Sequence, residues 1–175
     1  QLSTDPGVDL EPAVSPDGRW VYYSNLAAND RISLWRVPIG GGTPVRITDG
    51  VDSSRPRVSP DGKQIAFLQG EGNPGSPFTL GLMSPDGGGI RTLDAPDVVR
   101  SRIFRWSQDS TSLIFIRRNN DVDNLWAMPL GKGEPVQLTR FESDRIFRFD
   151  VLSTGGFVVA RGNESSDVVM VTRPK

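Results

Sequence analysis

Arginine is the residue type that gives this sequence most of its capacity to bind a ligand. The 175-residue chain has 20 basic residues, of which only Lys63, Lys132 and Lys175 are lysine. Seven arginines precede a tight turn in the second, third or fourth of four related segments; they are Arg55, Arg57, Arg100, Arg102, Arg105, Arg145 and Arg148. A planar guanidinium binds a carboxylate in a bidentate way that lysine cannot. The pattern therefore predicts an anion site or a site for an acidic peptide.

The competing interpretation is that neighbouring carboxylates neutralise these arginines. The candidate carboxylates near them are Asp52, Asp97, Glu142, Asp144 and Asp150, together with Asp9 and Glu11 of the first segment. If some guanidiniums have no carboxylate partner within the chain, they could contact a binding partner instead. The residues predicted to do so are Arg55, Arg57, Arg102, Arg105, Arg145 and Arg148. The sequence leaves both interpretations open.

The residue types needed for most enzyme chemistry are absent. The chain has no Cys and no His, so disulfides, thiolate metal sites and a Ser-His-Asp triad are excluded. Only Asp and Glu pairs could act as acid and base, and no pair stands out in its local sequence. We therefore predict no catalytic residue, no metal site and no cofactor.

Two short motifs resemble ligand loops but lack the required context. "GEGNPG", with Gly70, Gly72 and Gly75, fits a dinucleotide fingerprint, yet the strand-like "FTLGLM" follows where a helix is needed. "NNDVDN", from Asn119 to Asn124, lacks the glycine and the final glutamate of a calcium loop. We interpret both as hairpin loops, with a loose cation site at Asp121 and Asp123 as the alternative for the second.

The overall composition is typical of an all-β domain. Basic and acidic residues number 20 and 21, which argues against a nucleic-acid or membrane-surface partner. No apolar run is long enough to cross a membrane. Nineteen Gly and 14 Pro interrupt the chain at short intervals, and no amphipathic helical stretch exceeds about two turns.

The chain contains four related units, at about residues 5–50, 51–96, 97–141 and 142–175. "SPDGRW" in the first unit returns as "SPDGKQ" in the second, and "SQDS" and "STGG" take this place in the third and fourth. Pro and Asp-Gly are residues of tight turns, so we assign Asp17 and Asp61 to turn chemistry rather than to catalysis or metal binding.

Each unit is predicted to form four short strands. The second strands, such as "WVYYS", "QIAFL" and "SLIFI", are continuous apolar runs, which indicates that both of their faces are buried. Trp35 and Trp126 occupy the same repeat position, and this repetition favours packing over an exposed binding surface. Units of about 45 residues with four strands each are typical of propeller blades. The first strand of each blade lines the central channel of a propeller, so several of the arginines could gather near one mouth of the ring.

The fourth unit ends after its predicted third strand, "DVVMV". The first four residues, "QLST", are similar to the closing strands of other units, such as "VQLT". Residues 1–4 could therefore complete the last blade and close a ring. If the ring is open instead, unpaired sheet edges could promote self-association. We treat residues 1–175 as one propeller domain, either complete or the C-terminal part of a larger propeller.

The units "SPDGRWVYY", "SPDGKQIAF" and the endings "GG…RIT" and "GKGEPVQLT" resemble the TolB-like family of bacterial propeller repeats, also called PD40 or WD40-like repeats. The resemblance covers nearly the whole chain and is weakest in the fourth unit. It implies a non-catalytic scaffold that binds a protein or peptide partner, in the periplasm or another extracytoplasmic compartment of a bacterium.

The resemblance also leaves two alternative functions. Similar blades form the gating propellers of some peptidases, so the chain could be an accessory propeller of a hydrolase. The C-terminal segment from Asp144 to Val171 is similar to the last blade of propellers that follow a kinase or winged-helix domain, which would make the chain a sensor domain.

Overall fold

The structure of the protein is a computed structural model, which describes residues 2, 7–28, 31–50, 52–70 and 77–163. In chain order its strands are β1 (Val8–Val14), β2 (Trp20–Leu26), β3 (Ile32–Pro38), β4 (Val45–Arg46), β5 (Asp52–Val58), β6 (Ile65–Gly70), β7 (Thr79–Met83), β8 (Arg91–Leu93), β9 (Phe104–Trp106), β10 (Ser112–Asn119), β11 (Val122–Pro129), β12 (Val136–Gln137), β13 (Arg145–Val151) and β14 (Phe157–Gly162). A six-residue helix, α1 (Pro96–Ser101), lies between β8 and β9.

The strands form antiparallel sheets in chain order, which confirms the all-β propeller prediction. Blade 1 has the strand order β1-β2-β3-β4, blade 2 has β5-β6-β7-β8, and blade 3 has β9-β10-β11-β12. Blade 4 pairs β13 with β14 among the described residues. Its predicted third strand at residues 167–171 lies outside the described residues, as do Gln1, Ser3 and Thr4 of the predicted closing strand, so ring closure stays a prediction.

Apolar side chains fill the space between successive blades. Tyr22 and Leu34 of blade 1 meet Ile65 and Phe67 of blade 2 in one buried cluster. The largest cluster joins blades 2 and 3; its buried members are Ala66, Leu68, Leu80, Leu82, Ala95, Val98, Phe104, Trp106, Leu113 and Phe115. A third cluster joins Ile114 and Leu125 of blade 3 to Ile146 and Phe149 of blade 4. These three layers therefore each lie between two sheets, whereas a fourth cluster, of Val21, Tyr23 and Val37, belongs to blade 1 alone.

Strand β6 shows why the second strands read as continuous apolar runs. Ile65 and Phe67 face blade 1, whereas Ala66 and Leu68 face blade 3, and all four are buried. Gly81 lies opposite Phe67 on the neighbouring strand, where a Cβ atom would lie 2.5 Å from Phe67 Cζ. The glycine inside β7 is thus required by the close approach of the phenylalanine ring.

A serine and an aspartate hold the first turn of each of the first three blades. In blade 1 the Ser15 hydroxyl donates to Asp17 Oδ1, which also accepts the backbone N–H of Arg19. The same pair recurs as Ser59 with Asp61 and as Ser107 with Asp109. This confirms the assignment of Asp17 and Asp61 to the turns. The hydrogen bond from Ser15 is the main cause that lowers the pKa of Asp17 to about 2, and serine hydroxyls likewise lower the pKa of Asp61 and Asp109.

These turns predict a loss of stability in acid. A carboxyl that is more acidic when folded stabilises the protein above its unfolded pKa, near 4, and loses this effect as the pH falls through the folded value. We therefore expect the free energy of unfolding to fall between pH 4 and pH 2. Asp17→Asn should make that fall smaller, as measured by urea denaturation at pH 4, 3 and 2.

The control for this prediction is Asp94→Asn. Asp94 is exposed and lies outside the three turns. This variant should keep the pH dependence of the wild type. If Asp17→Asn and wild type lose the same free energy of unfolding between pH 4 and pH 2, the turn carboxylate does not stabilise the folded state in this way.

The hairpin between β10 and β11 agrees with its prediction. Segment 119–124 reverses the chain through Asn120 and Asp121, whose φ angles are 47° and 65°. Asn and Asp tolerate this left-handed region better than most residues. Of the "GEGNPG" motif only Gly70 is described, at the end of β6, and the segment after the motif forms β7 as predicted.

Two local features differ from the sequence expectations. Helix α1 begins with Pro96 and has Asp97 in its first turn, both favourable at a helix start, but six residues are too few for a periodic signal. The first turn of blade 4 starts at Leu152, whose carbonyl accepts the N–H of Gly155, as Ser15 accepts from Gly18 in blade 1. The turn predicted at "STGG" is therefore shifted by one residue.

Candidate functional site

The first strands of neighbouring blades contact one another and carry five of the six arginines predicted to bind a partner, all except Arg102. Strand β5 contacts β1 and β9, and β9 contacts β13. Four residues before the first residue of the tight turn, blades 1 to 4 have Glu11, Arg55, Ile103 and Arg148. Two residues before it, they have Ala13, Arg57, Arg105 and Asp150. Each of these two positions therefore holds two arginines, one acidic residue and one apolar residue among the four blades.

Arg55 and Glu11 form an ion pair between blades 2 and 1. Arg55 Nη1 lies 2.9 Å from Glu11 Oε1, and the backbone N–H of Arg55 donates to Glu11 Oε2 at 3.0 Å. Both residues lie at strand irregularities and have positive φ angles, 58° and 55°. Such a conformation is uncommon for residues other than glycine, so the same bulge recurs in two blades to place these side chains.

Arg105 and Asp150 form a second ion pair, between blades 3 and 4. Arg105 Nε lies 3.2 Å from Asp150 Oδ1, and its guanidinium carbon lies 5.9 Å from the centre of the Phe149 ring. Arg105 also donates from Nη1 to the Phe104 carbonyl at 3.0 Å. These contacts fix the guanidinium at the boundary between the two blades.

Arg57 lies between these two pairs and differs from both. It is half-buried, and no carboxylate among the described residues lies within ion-pair distance of it. Its Nη1 donates to the Pro56 carbonyl at 2.8 Å. Burial, followed by repulsion from Arg105, lowers the pKa of Arg57 to about 10, so the guanidinium is still protonated at neutral pH. The group Glu11, Arg55, Arg57, Arg105 and Asp150, called the channel cluster below, carries one net positive charge.

The backbone beside Arg57 is fixed by the neighbouring blade. Trp106 Nε1 of blade 3 donates to the Arg57 carbonyl oxygen at 2.7 Å, and the Trp106 ring is buried in the cluster between blades 2 and 3. Through this hydrogen bond Trp106 positions the backbone of Arg57 in addition to packing in the core. No sequence signal could identify it, because it joins residues 49 positions apart.

The other predicted arginines lie outside the channel cluster. Arg102 ends helix α1 with a φ angle of 55°, and its guanidinium lies 5.7 Å from the Phe78 ring. Arg145 pairs through Nε with Asp123 Oδ2 at 3.3 Å. Arg148 is exposed and donates to the Phe147 carbonyl. The six arginines thus do not form one cluster, and the predicted pairing with Glu11 and Asp150 occurs at two of them.

The described residues contain no group of three His, Cys, Asp or Glu side chains that could hold a metal ion. Asp121 is exposed at the hairpin tip, whereas Asp123 is buried and accepts hydrogen bonds from arginines. None of the helices among the described residues is long and apolar enough to cross a membrane.

Sequence comparison with known proteins gives a relative that matches part of this chain. No family model matches the sequence. An uncharacterized protein of Agrobacterium fabrum is 31% identical over 127 residues, which are 67% of this chain and 42% of that protein. This chain therefore spans less than half the length of that relative.

Two solved structures that match this chain belong to longer proteins. TolB from Acinetobacter baumannii superposes with a TM-score of 0.69 at 19% identity, covering 91% of this chain and 39% of TolB. A puromycin hydrolase superposes with a TM-score of 0.62 at 24% identity, covering 92% of this chain and 29% of the hydrolase. With its three complete four-stranded blades and its repeated turns, the chain has the TolB-like β-propeller fold.

Proposed function

We propose that this chain is a non-catalytic propeller module that binds an acidic segment of a protein partner through the channel cluster. The observation that carries the proposal is the Arg57 guanidinium, which is half-buried beside Arg105 and has no carboxylate partner among the described residues. Burying a charge is costly unless an opposite charge or hydrogen-bond acceptors compensate for it. The Pro56 carbonyl and the more distant carboxylates of Glu11 and Asp150 supply part of that compensation, and a partner carboxylate in direct contact would supply the rest.

The two ion pairs beside Arg57 prepare the site for such a partner. Glu11 and Asp150 orient Arg55 and Arg105, so these long side chains lose less freedom when a ligand binds. Their carboxylates also keep the cluster at a single net positive charge. This arrangement favours recognition of a short acidic segment over nonspecific attraction of nucleic acids, which needs a broad basic surface.

A neighbouring cavity favours a peptide over a free anion. The cavity measures about 210 Å³ and lies beside Arg55 and Arg102. Leu10, Leu68 and Phe78 contribute apolar side chains to its lining. A peptide could place an apolar side chain there while a nearby Asp or Glu reaches the channel cluster, whereas an inorganic anion could use only the charged part. Arg102 would then contribute to partner binding, as the sequence predicted.

The proposal is tested by titrating a fluorescein-labelled hexaglutamate peptide and measuring fluorescence anisotropy. We expect saturable binding to the wild type and about tenfold weaker binding to Arg57→Gln, because a charged hydrogen bond of this kind contributes about 1.5–3 kcal/mol. The matched control is Arg140→Gln, which removes an exposed arginine after β12 and should bind as the wild type does.

Urea denaturation of the three proteins shows whether the substitutions leave the fold intact. If hexaglutamate binds Arg57→Gln and wild type equally well, Arg57 does not bind the acidic peptide. Equal weakening in Arg57→Gln and Arg140→Gln would attribute binding to net charge alone, and this too would contradict the proposal.

A second candidate function is an accessory propeller of a hydrolase, and the likeness to a puromycin hydrolase favours it. In that case a catalytic domain would be encoded in the same reading frame. A kinase or winged-helix domain in that frame would instead favour a sensor domain. The proposed location of the binding module, in the periplasm or elsewhere outside the cytoplasm, rests on the resemblance to the TolB-like family.

A further inference from the structure

A second concentration of arginines surrounds a cavity between blades 3 and 4. The cavity measures about 590 Å³, which is within the range of sites for small molecules. Its charged lining residues are Asp97, Arg100, Arg117, Arg118, Asp123 and Arg145. Four guanidiniums and two carboxylates leave two net positive charges. Of these residues, only Arg145 was among the predicted partner-binding arginines.

Asp123 holds two of these arginines from a buried position. Its side chain is 3% exposed, and it accepts hydrogen bonds from Arg118 Nε at 2.9 Å, Arg145 Nε at 3.3 Å and the Ile146 N–H at 3.0 Å. Burial alone would raise the pKa of Asp123, but the hydrogen bonds from Arg118, Ile146 and Arg145 outweigh it and lower the pKa. The carboxylate is therefore ionised and fixes both guanidiniums.

Asp97 holds the other two arginines in a similar way. Arg100 Nη1 lies 3.2 Å from Asp97 Oδ1, and Arg117 Nε lies 3.5 Å from Asp97 Oδ2. The Arg117 guanidinium also lies 4.8 Å from the centre of the Trp126 ring, which limits its orientation. Asp97 and Asp123 thus each form ion pairs with two arginines.

The ion pairs leave the ligand-binding edges of three guanidiniums available. Arg117, Arg118 and Arg145 contact their carboxylates through Nε. Within the described part of the chain, no residue accepts a hydrogen bond from their terminal Nη atoms. These atoms form the planar edge with which arginine binds an oxyanion.

A purely structural role accounts for only part of this arrangement. Asp123 joins blade 3 to blade 4 through Arg145 and the Ile146 N–H, and one arginine would suffice for that link. Arg100 and Arg117 contact Asp97 instead and are exposed, so they add positive charge without linking blade 4. The surplus charge around an open cavity favours a negatively charged ligand.

We propose that the cavity between blades 3 and 4 binds a small organic dianion, a dicarboxylate in particular. Two carboxylates would balance the two surplus positive charges, and each could accept hydrogen bonds from terminal Nη atoms. The volume suits a metabolite-sized molecule. This site is separate from the channel cluster, so it holds whether or not the channel cluster binds an acidic peptide.

Isothermal titration calorimetry at low ionic strength with sodium succinate and, separately, sodium sulfate tests this proposal. We expect one succinate to bind per chain. The double variant Arg117→Gln/Arg118→Gln should bind succinate at least about tenfold more weakly, because it loses charged hydrogen-bond donors. The control Arg140→Gln should bind succinate as the wild type does, and urea denaturation checks that each variant is folded.

The titrations decide whether the cavity between blades 3 and 4 binds a dicarboxylate. Weakening confined to the double variant supports a dicarboxylate site. Absence of succinate binding, or equal affinity in wild type and the double variant, overturns it. Binding of sulfate without succinate overturns the dicarboxylate assignment in favour of a compact inorganic oxyanion.

Discussion

Phe115→Ala is expected to lower the free energy of unfolding by about 3–5 kcal/mol, because it leaves a cavity in the apolar layer between blades 2 and 3. Phe115 is fully buried, and its cross-strand neighbours on the two sides are Phe104 and Trp126. Domains of this size are commonly stable by about 5–15 kcal/mol, so the loss is a large part of the total. Urea denaturation followed by tryptophan fluorescence measures it, since Trp106 belongs to the same cluster.

The matched control is Phe147→Ala on strand β13, where the phenylalanine is 37% exposed. This change should cost about 1 kcal/mol or less, because surface substitutions rarely have large effects. If both variants lose the same small amount, the layer between blades 2 and 3 does not carry the stability assigned to it.

Asp123→Ala is expected to cost about 2–4 kcal/mol, since it removes a buried hydrogen-bonded carboxylate. The Ile146 N–H would lose its acceptor while buried, whereas Arg118 and Arg145 are about half exposed and could turn to water. Urea denaturation again gives the free energy of unfolding. Asp123→Asn should fall between Ala and wild type, because the amide oxygen can still accept one hydrogen bond.

Asp94→Ala is the control for Asp123→Ala, because Asp94 is exposed in the loop after β8. We expect it to change the free energy of unfolding by less than about 0.5 kcal/mol. A comparable small effect for Asp123→Ala would mean that the link between blades 3 and 4 does not depend on this carboxylate.

Repetition explains why so much of the fold could be predicted. The turns at Ser15 and Ser59 need Ser, Asp and Gly at fixed offsets, and the buried runs between the turns reveal strands with two covered faces. Each signal occurs more than once, so the register of one unit constrains the others. Blade 4 shows the limit: "STGG" has lost Pro and Asp, and the turn moved by one residue to begin at Leu152.

The candidate sites depend on contacts that local sequence does not encode. Arg55 pairs with Glu11, 44 residues earlier, and Arg105 pairs with Asp150, 45 residues later. These separations equal about one repeat, so equivalent positions on neighbouring blades meet. The sequence could therefore suggest the partners, but only the packing of the blades shows that Arg57 has none among the described carboxylates. The cavity between blades 3 and 4 was missed because its four arginines come from three separate elements, α1, β10 and β13.

Mapping where the acidic peptide binds tests the role of the channel cluster directly. Hexaglutamate carrying a benzophenone group would be photo-crosslinked to the wild-type chain, and the modified residues identified by mass spectrometry. Labelling on β5 and β9, around Arg57 and Arg105, is the predicted result, and unlabelled hexaglutamate should compete for it. Labelling confined to the outer strands of the blades or to the cavity beside Asp123, or labelling without competition, would contradict the proposal that the channel cluster binds the partner.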